Sequence, residues 1–286
     1  MLFTIAIPTY NNGDIVSKAI NSAINQNYEE KYEVLIVNNA STDNTKDVLS
    51  KYESNPKVRV KTNETTVDQF ENHNVCFREA KGDYVVFIHS DDELYPYALS
   101  IYAEELKRRQ YPPRFILWGH SMFRDYQTGL DAVGQRLNEV FGGALAIRCF
   151  LNAAGLAPSG TCYSRQAILN IGAFPPMSTR TSPLDWYILL WAAINCFEFE
   201  MIDRMVFLRT DASTATNSMP IKQVNDDKKE MFDILFSKLN SNQKKSILSY
   251  ILHYGSYKLI KLHKEHYSFI ELFLARIKYI KQVVLG

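Results

Sequence analysis

Hydrophobic and polar positions alternate along residues 1–125 in a pattern that predicts strands and helices in turn. Five short apolar runs are typical of buried strands, at 3–7, 32–39, 57–62, 83–90 and 114–120. The segments between them have the spacing of amphipathic helices, at 14–26, 41–52, 65–80 and 96–109. This alternation predicts an α/β fold in which helices flank a mostly parallel sheet. Ser41 and Thr42 are candidate N-caps of the second helix, with Asp43 in its first turn.

The pattern changes after residue 125. Glycine and proline punctuate the next segment, 182–197 has the composition of a buried helix, and the chain from 220 onward is helical and rich in lysine. Residues 244–286 hold seven Lys and one Arg against two Glu, a local charge of +6. We therefore predict one domain over 1–218, with halves at 1–125 and 126–218, and a helical C-terminal region at 219–286.

Composition excludes several classes of protein. The chain of 286 residues is 46% hydrophobic and 22% charged, which argues against disorder. A net charge of +1 gives no reason to expect a nucleic-acid partner. The cysteines lack CxxC spacing, which favours reduced thiols in a cytosolic protein; they are Cys76, Cys149, Cys162 and Cys196. The amino terminus does not resemble a signal peptide, and no apolar run is long enough to span a membrane.

Polar residues follow three of the predicted strands. These strand ends are Pro8-Thr9-Tyr10, Asn38-Asn39 and Ser90-Asp91-Asp92. In open α/β sheets, ligands bind outside the carboxyl ends of the strands, near the point where the strand order reverses. The three strand ends are therefore the candidate functional site.

The adjacent carboxylates Asp91 and Asp92 repel each other and need a cation, a hydroxyl donor or a helix terminus. Mg²⁺ or Mn²⁺, held by carboxylates and substrate phosphate oxygens, is one solution. The alternative is that Ser90 or Asp91 caps the helix that follows Pro96. The chain has neither a GxxxxGK[ST] nor a GxGxxG loop, so a metal would have to neutralise a bound diphosphate. This combination points to a metal-dependent enzyme of nucleotide sugars.

Three stretches, IAIPTYNN, EVLIVNNASTDNT and AKGDYVVFIHSDDEL, occur in this order and resemble the amino-terminal half of the family 2 glycosyltransferases, which have the GT-A fold. The resemblance continues more loosely through LAPSGTCYSRQAILNIGAFPP to LDWYILLW, and covers roughly residues 3–215. Enzymes of this family transfer a sugar from a nucleotide diphosphate to an acceptor hydroxyl with inversion. The resemblance thus makes 1–125 the nucleotide-binding half and 126–218 the acceptor half.

The resemblance implies the residues that bind the nucleotide. It places Pro8, Thr9 and Tyr10 against the nucleotide, and Asn38 and Asn39 near the base. The family usually has at least one Asp where this chain has the two asparagines. An asparagine can still form hydrogen bonds with the edge of a base, but the preferred nucleotide becomes an open question.

The resemblance also implies the metal site and the catalytic base. The family's metal motif falls on residues 89–92, which makes Asp91 and Asp92 ligands of the metal and the ribose. His89 stands where the family often has Asp, and we expect it to pack toward the core. The catalytic base falls on Asp185, whose alternative role is the N-cap of a helix at 186–197.

Further candidates lie in the acceptor half. Ser159 and Gly160 belong to a loop of small residues that could approach an acceptor sugar, although a plain turn would also need the glycine. Trp186 could stack on a sugar face, or lie in the core. Arg209 and Asp211 stand where many family members place a histidine that helps to bind the metal or the phosphate. An ordinary polar loop is the alternative for these two.

The resulting expectation is an inverting, metal-dependent glycosyltransferase with a UDP-sugar as the leading donor and Mn²⁺ or Mg²⁺ as cofactor. Its acceptor would be a glycan or a polyprenyl-linked oligosaccharide in bacterial surface polysaccharide (O-antigen or capsule) synthesis. The lysine-rich C-terminal helices could contact the cytoplasmic membrane, form a homodimer interface or pack as a separate layer. The rival interpretations are a sugar-nucleotide nucleotidyltransferase and a catalytically silent binding protein. The first of these normally has a basic loop, which PTYNNGD lacks.

Overall fold

A computed structural model describes residues 2–111, 113–121, 159–174 and 198–209, together with single residues between 220 and 275. The strands within the continuous ranges are β1 Phe3–Thr9, β2 Tyr32–Asn38, β3 Val58–Thr62, β4 Tyr84–Phe87, β5 Asp92–Leu94, β6 Phe115–Ser121, β7 Thr161–Ser164 and β8 Glu198–Arg209. The helices there are α1 Val16–Ile24, α2 Thr45–Ser50, α3 Gln69–Glu79, α4 Ala98–Arg108 and α5 Arg165–Asn170.

The strands form one mixed sheet in the order β3-β2-β1-β4-β7-β6-β8-β5. β1 pairs in parallel with β2 and β4, and β2 pairs in parallel with β3. β7 runs antiparallel between β4 and β6, and β5 runs antiparallel to β8. The predicted α/β fold with a mostly parallel sheet is therefore confirmed.

Helices cover both faces of the sheet. The side chains of β1 alternate between the two faces and every residue of β1 is buried, so both faces are shielded from water. On one face, Phe3 and Ile7 of β1 belong to the same core as the buried side chains of α1 and α4. On the other face, Phe77 of α3 packs edge-to-face against Phe87 and Tyr163, with ring centroids 5.1 and 5.4 Å apart. This packing fixes the strand ends from which the candidate site is built.

The second helix is shorter than predicted, and the predicted N-caps were wrong. α2 begins at Thr45, so Ser41 and Thr42 precede it. Ser41 Oγ accepts a hydrogen bond from the backbone N–H of Asn11 at 3.0 Å, and Thr42 N–H donates to Asn11 Oδ1 at 2.8 Å. Their polar groups are thus used between two loops, and Asp43 lies before the helix rather than in its first turn.

The predicted strand at 83–90 ends earlier, at Phe87, and a separate strand follows it. The chain turns after Phe87, where the Asp92 N–H donates to the His89 carbonyl at 3.1 Å. Asp92 then starts β5, which pairs with β8 at the far edge of the sheet. The next helix, α4, has Tyr97 as its N-cap residue, without a side-chain cap bond. The alternative in which Ser90 or Asp91 caps this helix is therefore wrong.

The described helices include none that is both long and apolar enough to cross a membrane. The predicted boundaries after residues 125 and 218, and the predicted helix at 182–197, lie outside the described residues. The division into domains stays a prediction.

Candidate active site

A cleft of about 630 Å³ opens where the strands leave the sheet. Its lining comes from residues 8–10, 12 and 15 at the end of β1 and just after it, and from Asn39 after β2. Residues 66–69, 72 and 73 around the start of α3 and residues 89–91 after β4 complete the lining. This is the position at which open α/β sheets bind their ligands. The three strand ends selected from the sequence therefore meet at one cleft.

The three residues predicted to bind a nucleotide through the end of β1 all line this cleft: Pro8, Thr9 and Tyr10. Thr9 is buried, and its hydroxyl has no hydrogen-bond partner among the residues that the structure describes. Tyr10 is 46% exposed, so its ring is available to a ligand. A buried hydroxyl without a partner is unfavourable unless a ligand or water satisfies it.

The two asparagines after β2 differ in position. Asn38 is buried and does not line the cleft; its Oδ1 accepts from the Ser41 N–H at 3.1 Å. Asn39 lines the cleft, but its side-chain amide bonds to both backbone groups of Val67, at 2.8 and 2.9 Å. It also accepts from the Asn63 amide at 3.0 Å. Asn39 therefore shapes the wall of the cleft, and contact of either asparagine with a base stays a prediction.

The loops that follow β1 and β2 are joined by hydrogen bonds. Gly13 N–H donates to Asp43 Oδ2 at 3.1 Å, and Asn12 N–H donates to Thr45 Oγ1 at 3.1 Å. The Thr45 hydroxyl donates to the Asp43 carboxylate at 2.5 Å and lowers the pKa of that carboxyl group. These bonds hold the segment that carries Tyr10 at the mouth of the cleft.

Three side chains near the cleft can share a metal ion: His89, Asp91 and Asp92. Each offers one ligand atom, and these atoms all lie within 4.8 Å of one another. Two ligand atoms on opposite sides of one ion, each about 2.2 Å from it, are about 4.4 Å apart. A small movement of the three side chains would therefore bring their ligand atoms to bonding distance from one ion. Asp91 lines the cleft, whereas Asp92 is only 3% exposed. The residues present fit a divalent metal.

His89 was expected to pack toward the core, and its ring does contact the ring of His73, with centroids 5.6 Å apart. The structure also places a ring nitrogen of His89 beside both carboxylates. A histidine two positions before a pair of aspartates, as in His89-Ser90-Asp91-Asp92, is a signal from which the sequence could have predicted a metal ligand.

His73 lies beside His89, one of the three candidate metal ligands, and its ring is uncharged. Burial, and to a smaller extent the nearby His89, lower the pKa of His73 to about 3. Its Nδ1 donates to the Gln69 carbonyl at 2.8 Å, and its ring stacks on Phe87 at 5.0 Å. His73 therefore supports the site without adding a positive charge that would repel a metal ion.

The segment 89–92, which carries the three candidate metal ligands, is held by hydrogen bonds from two loops, the one after β1 and the one before β7. Asn12 Nδ2 donates to Ser90 Oγ at 2.6 Å, and the His89 backbone N–H donates to Ser159 Oγ at 2.9 Å. The Gly160 N–H donates to the Phe87 carbonyl at 2.8 Å. The loop before β7 thus fixes the backbone just after β4.

Ser159 and Gly160, predicted to bind an acceptor, are both buried and lie outside the lining of the cleft. Gly160 has φ +71°, and its carbonyl accepts from the Tyr102 hydroxyl at 2.5 Å. What the structure adds is a positioning role for the loop, since Ser159 bonds to the backbone of His89. Their predicted contact with an acceptor stays a prediction.

Of the remaining candidate residues, only Arg209 lies within the described part of the chain. Arg209, predicted to assist the metal or the phosphate, is the register partner of Asp92 in the antiparallel pair of β5 and β8. Asp185, Trp186 and Asp211 lie outside the described residues. Their roles as base, stacking residue and possible metal or phosphate contact stay predictions.

One wall of the cleft was missed by sequence reasoning. It consists of residues from 66 to 73, including Asp68, which caps α3 by accepting from the Glu71 N–H at 3.0 Å. The signal was available, because the chain leaves β3 at the same edge of the parallel sheet as it leaves β1, β2 and β4. Any strand end at this edge is a candidate.

Comparison with known proteins assigns the amino-terminal part of the chain to a family of glycosyltransferases. The family model of glycosyl transferase family 2 matches residues 4–171, more than half of the chain. The poly(ribitol-phosphate) beta-N-acetylglucosaminyltransferase TarS of Staphylococcus aureus is 32% identical over 94 residues. That alignment covers 32% of this chain and only 16% of TarS.

Solved structures of glycosyltransferases share the fold of this chain. The structure of S. aureus TarS 1–349 in complex with UDP-GlcNAc matches 98% of this chain and 81% of its own, with a TM-score of 0.68 and 19% identity. The mannosyltransferase PcManGT from Pyrobaculum calidifontis, in complex with GDP-Man and Mn²⁺, matches 97% and 86%, with a TM-score of 0.62 and 14% identity. At these identities the likeness establishes the fold.

Proposed function

The chain belongs to glycosyl transferase family 2, and we propose that it transfers a sugar from a nucleoside diphosphate donor to an acceptor hydroxyl with inversion. The observation that carries the proposal is the His89, Asp91 and Asp92 group beside a cleft at the carboxyl ends of parallel strands. A UDP-sugar is the proposed donor, because the related TarS structure is a complex with UDP-GlcNAc.

In this proposal the cleft binds the donor. Pro8 and Tyr10 border the nucleotide, while the buried Thr9 hydroxyl gains a partner when a ligand fills the cleft. Asn39 holds the 63–67 segment as the facing wall. The volume of about 630 Å³ falls within the usual range of small-molecule sites.

Asp91 and Asp92, with His89 beside them, are the proposed ligands of Mn²⁺ or Mg²⁺. Such an ion, when bound, acts as a Lewis acid that stabilises charge on the departing diphosphate. The chain's own contribution is to hold Asp91 in the lining of the cleft and the buried Asp92 beside it, through the bonds from Asn12 to Ser90 and from His89 to Ser159. Arg209, opposite Asp92 in the sheet register, is the proposed phosphate contact.

Asp185 is the proposed base. The acceptor oxygen forms the new bond to the anomeric carbon as the bond from that carbon to the diphosphate oxygen breaks. The proton of the acceptor hydroxyl passes to the Asp185 carboxylate, and the nucleoside diphosphate departs with the electron pair. Attack from the face opposite the leaving group inverts the anomeric centre.

The acceptor proposed is a glycan or a polyprenyl-linked oligosaccharide of a bacterial surface polysaccharide, assembled at the inner face of the cytoplasmic membrane. Two observations support this proposal: the similarity to the poly(ribitol-phosphate) beta-N-acetylglucosaminyltransferase TarS, and the +6 charge of residues 244–286. Basic residues next to apolar ones favour an anionic membrane surface.

Nucleotide binding tests the proposal directly. We expect UDP with Mn²⁺ to raise the melting temperature of the protein by several degrees, and GDP, dTDP and CMP to raise it less. Binding at about 100 times the dissociation constant stabilises the folded state by about 2.7 kcal/mol, which is measurable as a thermal shift. A protein that none of the four nucleotides stabilises, with or without Mn²⁺, would not be a nucleotide-sugar enzyme.

A further inference from the structure

We propose that the imidazole of His89 is itself a metal ligand, and that it makes the site select Mn²⁺, Co²⁺ and similar transition ions over Mg²⁺ and Ca²⁺. The inference rests on the metal site of the proposed function and goes beyond it, because it assigns a ligand that sequence reasoning placed in the core. It also fixes which class of divalent ion the site takes.

The position of the ring supports this assignment. One ring nitrogen of His89 and one oxygen from each of Asp91 and Asp92 lie within 4.8 Å of one another. The backbone of His89 is fixed at both ends of the residue, since its N–H donates to Ser159 Oγ at 2.9 Å and its carbonyl accepts from the Asp92 N–H at 3.1 Å. The ligand group is therefore formed before any ion arrives.

The ring of His73 supports the ring of His89. The two rings meet edge to face, with an interplanar angle of 75° and centroids 5.6 Å apart. His73 is in turn fixed by its bond to the Gln69 carbonyl and by stacking on Phe87. A packed neighbour that restricts the orientation of a ligating imidazole reduces the reorganisation that metal binding requires.

The chemistry of the donor set gives the selectivity. Mg²⁺ and Ca²⁺ are hard ions that take oxygen ligands, and Mg²⁺ demands near-ideal octahedral geometry. A neutral imidazole replaces the third negative charge that a carboxylate would supply, so the attraction for a hard ion is weaker. Transition ions gain from a nitrogen ligand, and their affinity for such a site rises from Mn²⁺ to Co²⁺.

The test compares the wild-type protein with His89→Asp, which converts the set to three carboxylates. Dissociation constants for Mn²⁺, Co²⁺ and Mg²⁺ are measured by calorimetry in the presence of UDP. We expect the wild type to bind Mn²⁺ at least tenfold more tightly than Mg²⁺, and the His89→Asp variant to reduce this ratio at least threefold. His89→Gln serves as a second variant if the aspartate prevents folding, and should weaken Mn²⁺ binding at least threefold.

Pulsed electron paramagnetic resonance of the Mn²⁺ complex gives a readout independent of turnover. Direct ligation predicts a strong ¹⁴N coupling to Mn²⁺ in the wild type and in the His73→Asn control, and its loss in His89→Asp. An unchanged Mn²⁺ to Mg²⁺ ratio, or the absence of ¹⁴N coupling in the wild type, would overturn the role of His89. In that case a thermal shift by UDP with either ion would leave the proposed function intact. If the wild type binds none of these ions, both the ligand assignment and the metal dependence of the proposed function fail.

Discussion

Replacement of Asp92 by asparagine should lower the rate of nucleoside diphosphate release from the donor by about a thousandfold, equivalent to about 4 kcal/mol of activation free energy. Asp92 is only 3% exposed and lies within 4.8 Å of the other two candidate ligand atoms. Asparagine keeps the shape of the side chain but removes the charge that attracts a cation. The measurement is donor turnover with saturating Mn²⁺, using the nucleotide sugar that stabilises the wild type.

Two variants make this result specific. Asp47→Asn changes an exposed carboxylate in α2, remote from the cleft lining, and should leave turnover within twofold of the wild type. Asp185→Asn, which removes the proposed base, should lower transfer to the acceptor while nucleotide and Mn²⁺ binding persist. If Asp92→Asn keeps turnover within threefold of the wild type, Asp92 does not hold a catalytic metal.

Replacement of Gly160 by alanine should lower the free energy of unfolding by about 3 kcal/mol. The residue has φ +71°, where a Cβ costs about 1–2 kcal/mol. The added methyl would also stand 2.4 Å from Cδ1 of Phe207 and 3.1 Å from Cγ2 of Val206. Both neighbours are buried, so the core must shift, and overpacking of this kind costs about 1–3 kcal/mol. Urea unfolding followed by circular dichroism measures the change.

Gly172 provides the matched control. It has φ +81°, but an added Cβ would meet no atom of the described part of the chain within 4 Å. Gly172→Ala should therefore lower the stability by about 1 kcal/mol, the effect of backbone strain alone. The difference between the two variants isolates the contact with Phe207. If the two variants lose the same free energy of unfolding, the side chains around Gly160 accommodate the added methyl group at no energetic cost, and the predicted clash with Phe207 is wrong.

The sequence predicted the parallel half of the sheet well, because its strands are buried on both faces and read as continuous apolar runs. β1, β2 and β3 are observed within a few residues of their predicted positions. The strand ends at Thr9, Asn39 and Asp91 were predicted as one site for the same reason, since neighbouring parallel strands end at one edge.

Pairings between distant residues account for what the sequence did not predict. β5 has three residues and pairs with residues 207–209 of β8, more than a hundred residues later in the chain. The bond from His89 to Ser159 likewise joins residues separated by 70 positions. The N-caps at Ser41 and Thr42 were wrong because Asn11, about 30 positions away, uses those groups. Local periodicity carries no information about such contacts.

The location of the metal tests the central claim most directly. Crystals grown with UDP and Mn²⁺ should give one strong anomalous peak within about 2.5 Å of carboxylate oxygens of Asp91 and Asp92, with the diphosphate in contact with the same ion. A peak bound elsewhere, or a diphosphate seated in the cleft with both carboxylates pointing away from it, would contradict the claim that this pair joins a divalent ion to a sugar donor.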